Sequence, residues 1–470
     1  MIAHPAGPRH ADVIPPDRPA HTAAANLNAL AQKVWPRGTD RTAGGVMRLG
    51  GLDVRALAEQ YGTPLMVMDE RDFRSRCRDF AVAFGGPANV HYAGKAFLSG
   101  AVLRWLADEE LGLDVCSGGE LALALRAGFP AARIALHGSN KSEAELQAAI
   151  DAGLAAIVVD SFEEIARLAS MTLQRADPVP VMVRVTVGVE AHTHEFIATA
   201  HEDQKFGFSL TGGDADEAVR RVVAAEGLVL VGLHSHIGSQ IFDPAGFEVA
   251  AHRVVALLAR LVEVYPQLAQ TVTTLDLGGG MGIAYTEDDD PPTPAAMAAS
   301  LTAIVQRECR AAGLPVPRIA VEPGRAIVGP CGVTIYEVGT IKDVRLDGGA
   351  ERRYVSIDGG MSDNIRTALY GAEYTLALAS RSSAAPAALC RVVGKHCESG
   401  DIVVRDCYLP ADLAPGDLLA VAATGAYCYA MASNYNRLPK PAVVAVGDGR
   451  SAVMLRRETM DDLMSLEVWE

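Results

Sequence analysis

From about residue 89 the chain alternates between two textures. Short runs rich in β-branched and apolar residues are separated by longer segments whose apolar residues recur three and four positions apart. The short runs are NVHYAGKA (89–96), LGLDVCS (111–117), RIALHGS (133–139), AAIVVDS (155–161), VMVRVTV (181–187), LVGLHSHIG (230–238), TLDLGGGMG (274–282) and RIAVEPGRA (318–326). The segments between them, such as SGGELALALRAGF and SEAELQAAIDAGL, carry Ser or Asn nearby as an N-cap and Ala-Gly behind as a stop. Eight strand–helix units predict an α/β fold, a (β/α)8 barrel, with an open doubly wound sheet as the runner-up. The polar residues decide between them. Lys95, Asp114, His137, Asp160, His234, His236, the glycines at 278–280 and Glu322 all fall at the C-terminal ends of the runs. Barrel enzymes build their active sites on that face.

After about residue 331 the texture changes. GVTIYEVGTIKDV, RRYVSIDGG, ALCRVVG, GDIVVRD, DLLAVAATG, PAVVAV and SAVMLRR read as short strands of a separate all-β domain, sandwich- or barrel-like. The earlier segment 44–70 predicts a strand, a helix and a second strand, the first strand joining that β-domain. The expected organisation is a flexible tail over 1–25, a segment 26–69 contributing to the β-domain, a barrel over 70–330 and the β-domain proper over 331–470. The stretches 288–299 (DDDPPTPAAMAA) and 380–388 (SRSSAAPAA) read as solvated loops.

Composition narrows the classes. The charge is −15 from 42 basic and 57 acidic residues, which argues against a nucleic-acid or anionic-membrane partner. The apolar fraction of 49% is that of a globular chain rather than a disordered one. The first thirty residues lack an apolar core, so no signal peptide or membrane span is expected there, and a cytoplasmic location is the default. Eight cysteines in 470 residues, with no CxxC pair, argue against a disulfide scaffold or a zinc ribbon.

Candidate chemistry lies at the strand ends. Lys95 would point into the barrel mouth, where desolvation would lower its pKa and make its amine nucleophilic. The GGG run at 278–280 lets backbone amides turn toward a phosphate, yet it fits neither a Walker loop nor a dinucleotide fingerprint. Glu322, beside a Pro-Gly turn, is placed to hold a proton on a heteroaromatic nitrogen. His234 and His236 alternate on the sixth strand and would share one face, which admits a rival reading as a metal-dependent hydrolase. No ordered set of further ligands accompanies them, and no metal is expected. His192 and His194 fall in a loop-like stretch, read as part of a lid near 190–206. In the β-domain, Arg366 and Tyr370 lie four apart in DGGMSDNIRTALYG and form a carboxylate receptor. GKHCESGD sets Cys397 beside Glu398 on a loop, and Tyr427 lies in ATGAYCYAMASNYN.

Together, YAGKAF, HSHIGSQ, LDLGGGMG, VEPGR, CESGD and the tyrosine of TGAYCYAM resemble the alanine-racemase-fold (fold type III) pyridoxal phosphate-dependent decarboxylases. The resemblance runs from about residue 35 to the C-terminus, and VGVEAHTHEFIATAHEDQKFGFS is similar to the actinobacterial form. It implies pyridoxal 5'-phosphate as cofactor and a lyase of amino acids. Lys95 matches the lysine that carries the cofactor. Gly279, Gly280, Gly324 and Arg325 would cradle its phosphate, with Ser239 adding a hydroxyl. Glu322 would keep the pyridine nitrogen protonated, His236 would pack on the ring and Tyr427 would sit beside phosphate and substrate. Arg325, Arg366 and Tyr370 would clamp the substrate's distal carboxylate. Cys397, the proton donor, and Glu398, a contact for the distal amino group, would come from the second subunit of a homodimer.

An arginine at 366 suits a diacid. The expected reaction is decarboxylation of meso-2,6-diaminopimelate to L-lysine and carbon dioxide, the last step of lysine biosynthesis. An ornithine- or arginine-type decarboxylase of the same fold is the alternative.

Overall fold

The computed structural model describes residues 26–188, 205–345 and 351–469. The tail expected over 1–25, His192, His194 and nearly all of the lid segment lie outside the described residues. The described residues divide into two compact units. One draws on Met1–Phe73, Ile283–Asp289 and Val328–Glu470, the other on Arg74–Gly282 and Asp290–Ile327.

The second unit is the barrel. Its strands are β1 (His91–Ala93), β2 (Gly112–Val115), β3 (Ile134–Leu136), β4 (Ala156–Val159), β5 (Val179–Thr186), β6 (Leu228–His234), β7 (Thr274–Asp276) and β8 (Arg318–Ala320). Each of the eight runs supplies one strand. They pair in parallel and in sequence order. The circle closes where Val90 bridges Val321, with His91 N donating to Val321 O at 2.9 Å and Val321 N to Asn89 O at 3.1 Å. A closed sheet leaves no edge, so the open-sheet alternative is excluded.

Helices follow the strands: α1 (Gly100–Asp108), α2 (Gly118–Arg126), α3 (Glu143–Ala152), α4 (Phe162–Thr172), α5 (Asp214–Ala224), α6 (Ala245–Val264) and α7 (Pro294–Ala311). The first four share one device: Ser99, Ser117, Ser142 and Ser161 each accept a hydrogen bond from a first-turn amide. Such a cap contributes about 1 kcal/mol and fixes where each helix leaves its loop. Gly153, left-handed at φ 68°, stops α3 where the sequence places a stop. One loop expectation fails. Residues 294–299 belong to α7, because Thr293 caps the helix, Pro294 occupies its first position and the following alanines favour it.

The first unit is built on a nine-stranded sheet. Gly332–Arg345 is its hub. The early part of this strand pairs with Leu65–Asp69 and Leu418–Val421, and the later part with Glu351–Ile357. Leu65–Asp69 pairs on its other side with Ala442–Gly447, in parallel. Trp35, Leu65, Val67, Ile335, Ala420 and Val444 share its core. Segment 44–70 does hold a strand, a helix (Val54–Tyr61) and a strand, but the second strand, not the first, enters the large sheet. Met47–Leu49 pairs instead with Asp40–Arg41 and Leu52–Asp53 in a small sheet of its own. All five residues of Leu65–Asp69 are buried, the pattern of a central strand. Among the described residues no helix is long and apolar enough to cross a membrane.

Candidate active site

The barrel gathers its polar side chains where the strands end. Lys95 follows β1 in a single 3-10 turn. It is exposed, so burial does not strip its ammonium of water as the sequence reading supposed. Its surroundings are charged instead: its positive charge acts on Glu322, Glu120, Cys116 and His236. Burial pushes the Cys116 thiol up to about 12, so Cys116 remains a thiol.

The glycine run after β7 is packed against the ends of its neighbours. A methyl group on Gly279 would lie 2.3 Å from the Glu322 backbone oxygen, and one on Gly280 2.3 Å from Gly238 O. Gly280 also has φ 100°, which side chains disfavour. On the β8 side, a Cβ on Gly324 would come within 2.9 Å of Ala93. Arg325 is buried and its Nη2 donates to Ser239 Oγ at 2.8 Å. Lys95, His236, Ser239, Gly279, Gly280, Glu322, Gly324 and Arg325 therefore all lie at this end of the barrel.

Strand β6 ends at His234, so His236 stands just beyond it and the two rings part. His236 Nδ1 accepts from Gly279 N at 3.2 Å. Burial first, then Lys95, holds His236 well below the usual histidine range. It is a neutral ring with its proton on Nε2. His234 Nε2 instead lies 2.8 Å from Glu322 Oε1. The HxH pair thus does not converge on one point. Among the described residues, the groups whose ligand-type atoms all come within 4.8 Å of one another are His137, His234 and Glu322.

The pyridoxal-binding domain model of the pyridoxal-dependent decarboxylases matches residues 70–329. The diaminopimelate decarboxylase of Mycobacterium leprae is 60% identical over 476 residues, covering 100% of both chains. That of Mycobacterium tuberculosis is 61% identical over 440 residues, 93% of this chain and 98% of its own. The crystal structure of the M. jannaschii diaminopimelate decarboxylase with L-lysine superposes at a TM-score of 0.84, with 29% identity over 93% of this chain and 98% of that one. The chain belongs to the diaminopimelate decarboxylase family.

Pyridoxal phosphate is the cofactor of this family of decarboxylases, and the barrel fits it on its own evidence. Glu322 is buried, and its Oε1 has no aligned hydrogen-bond donor despite the nearby imidazoles. Burial raises its pKa, while His137, Lys95 and Arg184 pull it down. A pyridinium N–H would supply the missing donor and a compensating charge. The glycine cradle leaves room that any side chain would fill, and Lys95 offers the amine. Gly279→Ala should therefore raise the dissociation constant for pyridoxal phosphate at least ~10-fold, read by titrating apoprotein. The added methyl cannot avoid the Glu322 carbonyl. Unchanged affinity would count against the cradle.

The remaining candidates lie in the β-unit. Arg366 opens a short helix, Arg366–Tyr370, and is buried, while Tyr370 at its end is partly exposed. Arg366 Nη1 donates to Tyr374 Oη at 2.6 Å, and its guanidinium lies 4.9 Å from the Tyr285 ring centre. Its Nε has no hydrogen-bond partner, and no carboxylate pairs with it among the described residues. Tyr427 is half-buried with a strained φ of 61°. Cys397 and Glu398 are exposed. The Cys397 loop is braced: Asn436 Oδ1 accepts from Cys397 N and lies against His396 Nδ1, both at 3.2 Å, while Asp401 accepts from His396 N at 2.8 Å.

Sequence reading missed Arg184, Tyr374 and Tyr285. Arg184 is a polar residue inside the apolar run VMVRVTV of a fully paired strand, which was a usable signal. Its guanidinium faces Glu322 and Asp160, and its ring partner Phe206 lies 4.4 Å away. Tyr374 and Tyr285 carry no motif; only the fold brings them to Arg366.

Proposed function

We propose that the chain decarboxylates meso-2,6-diaminopimelate to L-lysine and carbon dioxide. The carrying observation is Arg366, a buried cation without an acidic partner among the described residues. An uncompensated buried charge is costly, and a substrate carboxylate is what would compensate it. The tyrosine hydroxyl and ring hold the guanidinium in place for a planar, bidentate partner. A second reading, decarboxylation of ornithine or arginine, leaves this cation unexplained, because those substrates have no distal carboxylate. The relatives named above and the lysine found with the M. jannaschii enzyme support the same choice. The test offers meso-diaminopimelate, ornithine and arginine in parallel and records carbon dioxide. Release from the monocarboxylic substrates alone would overturn the reading.

Bound pyridoxal phosphate supplies the electron sink for the bond that breaks. The chain's residues do the rest. Lys95 binds the cofactor through its amine. Gly279, Gly280, Gly324, Arg325 and Ser239 hold its phosphate, with Tyr427 beside it. Glu322, as a carboxylate, keeps the ring nitrogen protonated, and neutral His236 packs on the ring. Arg325, Arg366 and Tyr370 orient the distal carboxylate. Glu398 takes the distal ammonium, and Cys397 delivers a proton to the substrate's α-carbon.

We further propose that Cys397 and Glu398 serve the site of a second copy of the chain. Their exposure on a braced loop supports this. Cys397→Ala should keep the visible cofactor band while turnover falls by about 10²–10⁴, the usual worth of a positioned proton donor. Mixing Lys95→Ala with Cys397→Ala chains should restore activity, and no recovery would count against the shared site. A cytoplasmic setting fits the reduced thiol this role requires.

A further inference from the structure

We propose that His137 is a positioning residue for this reaction: set between Asp114 and Glu322 inside the barrel, its imidazole supplies the cation that keeps Glu322 ionised. The inference rests on the assignment of Glu322 to the cofactor's ring nitrogen. His137 Nε2 lies 3.3 Å from Asp114 Oδ1 and 3.8 Å from Glu322 Oε1, so one nitrogen faces two carboxylates. Asp114 Oδ1 also receives His91 Nδ1 at 3.1 Å, which ties the arrangement to β1. All four groups are buried, His137 at 5% exposure. Charges that close in a dry interior settle together.

The distribution of charge follows from position. Burial pushes His137 down, but Asp114 and Glu322 outweigh burial and leave its pKa raised. Asp114 is pushed up by burial, yet His137 and His91 draw it well below the carboxylate range. His234 meets His137 edge to face at 5.1 Å between ring centres. Burial, His137 and Arg184 keep His234 far below the usual histidine range despite Glu322 at 2.8 Å. Of the two imidazoles beside Glu322, the one backed by Asp114 is drawn toward the charged form and the other away from it. Glu322 feels Lys95 from the β1 end and Arg184 from β5 as further cations, and Asp114 as a further anion. Asp276 of β7, raised to about 6 by burial and by Glu322, completes the acids around it.

The sign is then fixed. A cation within about 4 Å lowers a carboxyl pKa by ~1–3 units. Without it, Glu322 takes up a proton at higher pH, and the ring nitrogen loses its counter-charge there.

The test is a pH titration of the holoenzyme's visible spectrum, with kcat over the same range. Replacing the imidazole by a neutral amide, His137→Gln, should move the acid-side midpoint of both curves up by ~1 unit or more. His137→Asn, a second neutral amide, should move them the same way and decides the matter if the first variant fails to fold; Asp114→Asn cannot replace it, because it also takes an anion away from Glu322. A purely structural role would lower thermal stability and leave the midpoints in place. Unmoved midpoints in a folded variant overturn the proposal. Glu322→Gln keeps the two questions apart. If the wild-type acid transition persists there, the assignment of Glu322 itself fails. If it disappears, the His137 result stands on its own.

Discussion

Lys95→Ala should give a protein without the long-wavelength absorbance of lysine-bound cofactor. Its turnover should be lower by at least the ~10²–10⁴ that a positioned reacting group contributes. Among the described residues, Lys95 is the lysine that follows the first barrel strand directly. Lys141, which is buried, is fixed by Glu164 at 2.8 Å and by the Gly138 and Val158 carbonyls at 2.7 Å each. Lys95 differs because it is exposed, and its charge acts on Glu322, Glu120 and His236. The variant should still fold, since an exposed lysine contributes little to packing. Absorbance and turnover are read on the same sample. A persistent band in Lys95→Ala would mean that another amine carries the cofactor.

The barrel was legible because its alternation is redundant. Eight runs, capped helices and stops all point to one topology, and each run became a strand. Failures came where a local signal had two physical meanings. Alanines and prolines at 288–299 read as loop by composition, yet Thr293 and Pro294 in that order begin a helix. His234 and His236 read as a pair by period-two spacing, yet β6 ends between them and Gly279 turns the second ring away. The Lys95 position was readable, but its exposure was not, because spacing cannot report what covers a side chain. The interior cluster was half visible. Asp114, His137, His234 and Glu322 were each noted as strand ends, but their meeting across the barrel depends on which strands oppose one another in the closed circle. Tyr285, distant from Arg366 in sequence, was beyond reach for the same reason, while Tyr374, eight residues after Arg366, carries no motif to single it out.

Replacing Arg366 by methionine should separate stability from function. In the free protein the guanidinium is buried with one Tyr374 hydrogen bond, two aromatic neighbours and no acid among the described residues. A flexible apolar side chain of similar length removes that desolvation cost, and comparable replacements of buried charge are neutral or stabilising by ~1–4 kcal/mol. The melting temperature of Arg366→Met without substrate should therefore equal or exceed that of the wild type. Function should move the other way. Losing one partner of a buried charge pair costs ~2–5 kcal/mol, so kcat/KM for diaminopimelate should fall by about 30- to 5,000-fold. Most of the loss should appear in KM, because the distal carboxylate is remote from the bond that breaks. The cofactor band should be unaffected. Lysine, the product, keeps the distal carboxylate and has lost the reacting one, so its affinity should fall together with that of diaminopimelate, whereas that of a diamine without any carboxylate should change far less. If Arg366→Met lowers the melting temperature by several degrees and leaves KM unchanged, the arginine is a structural cation and the diacid reading loses its principal support.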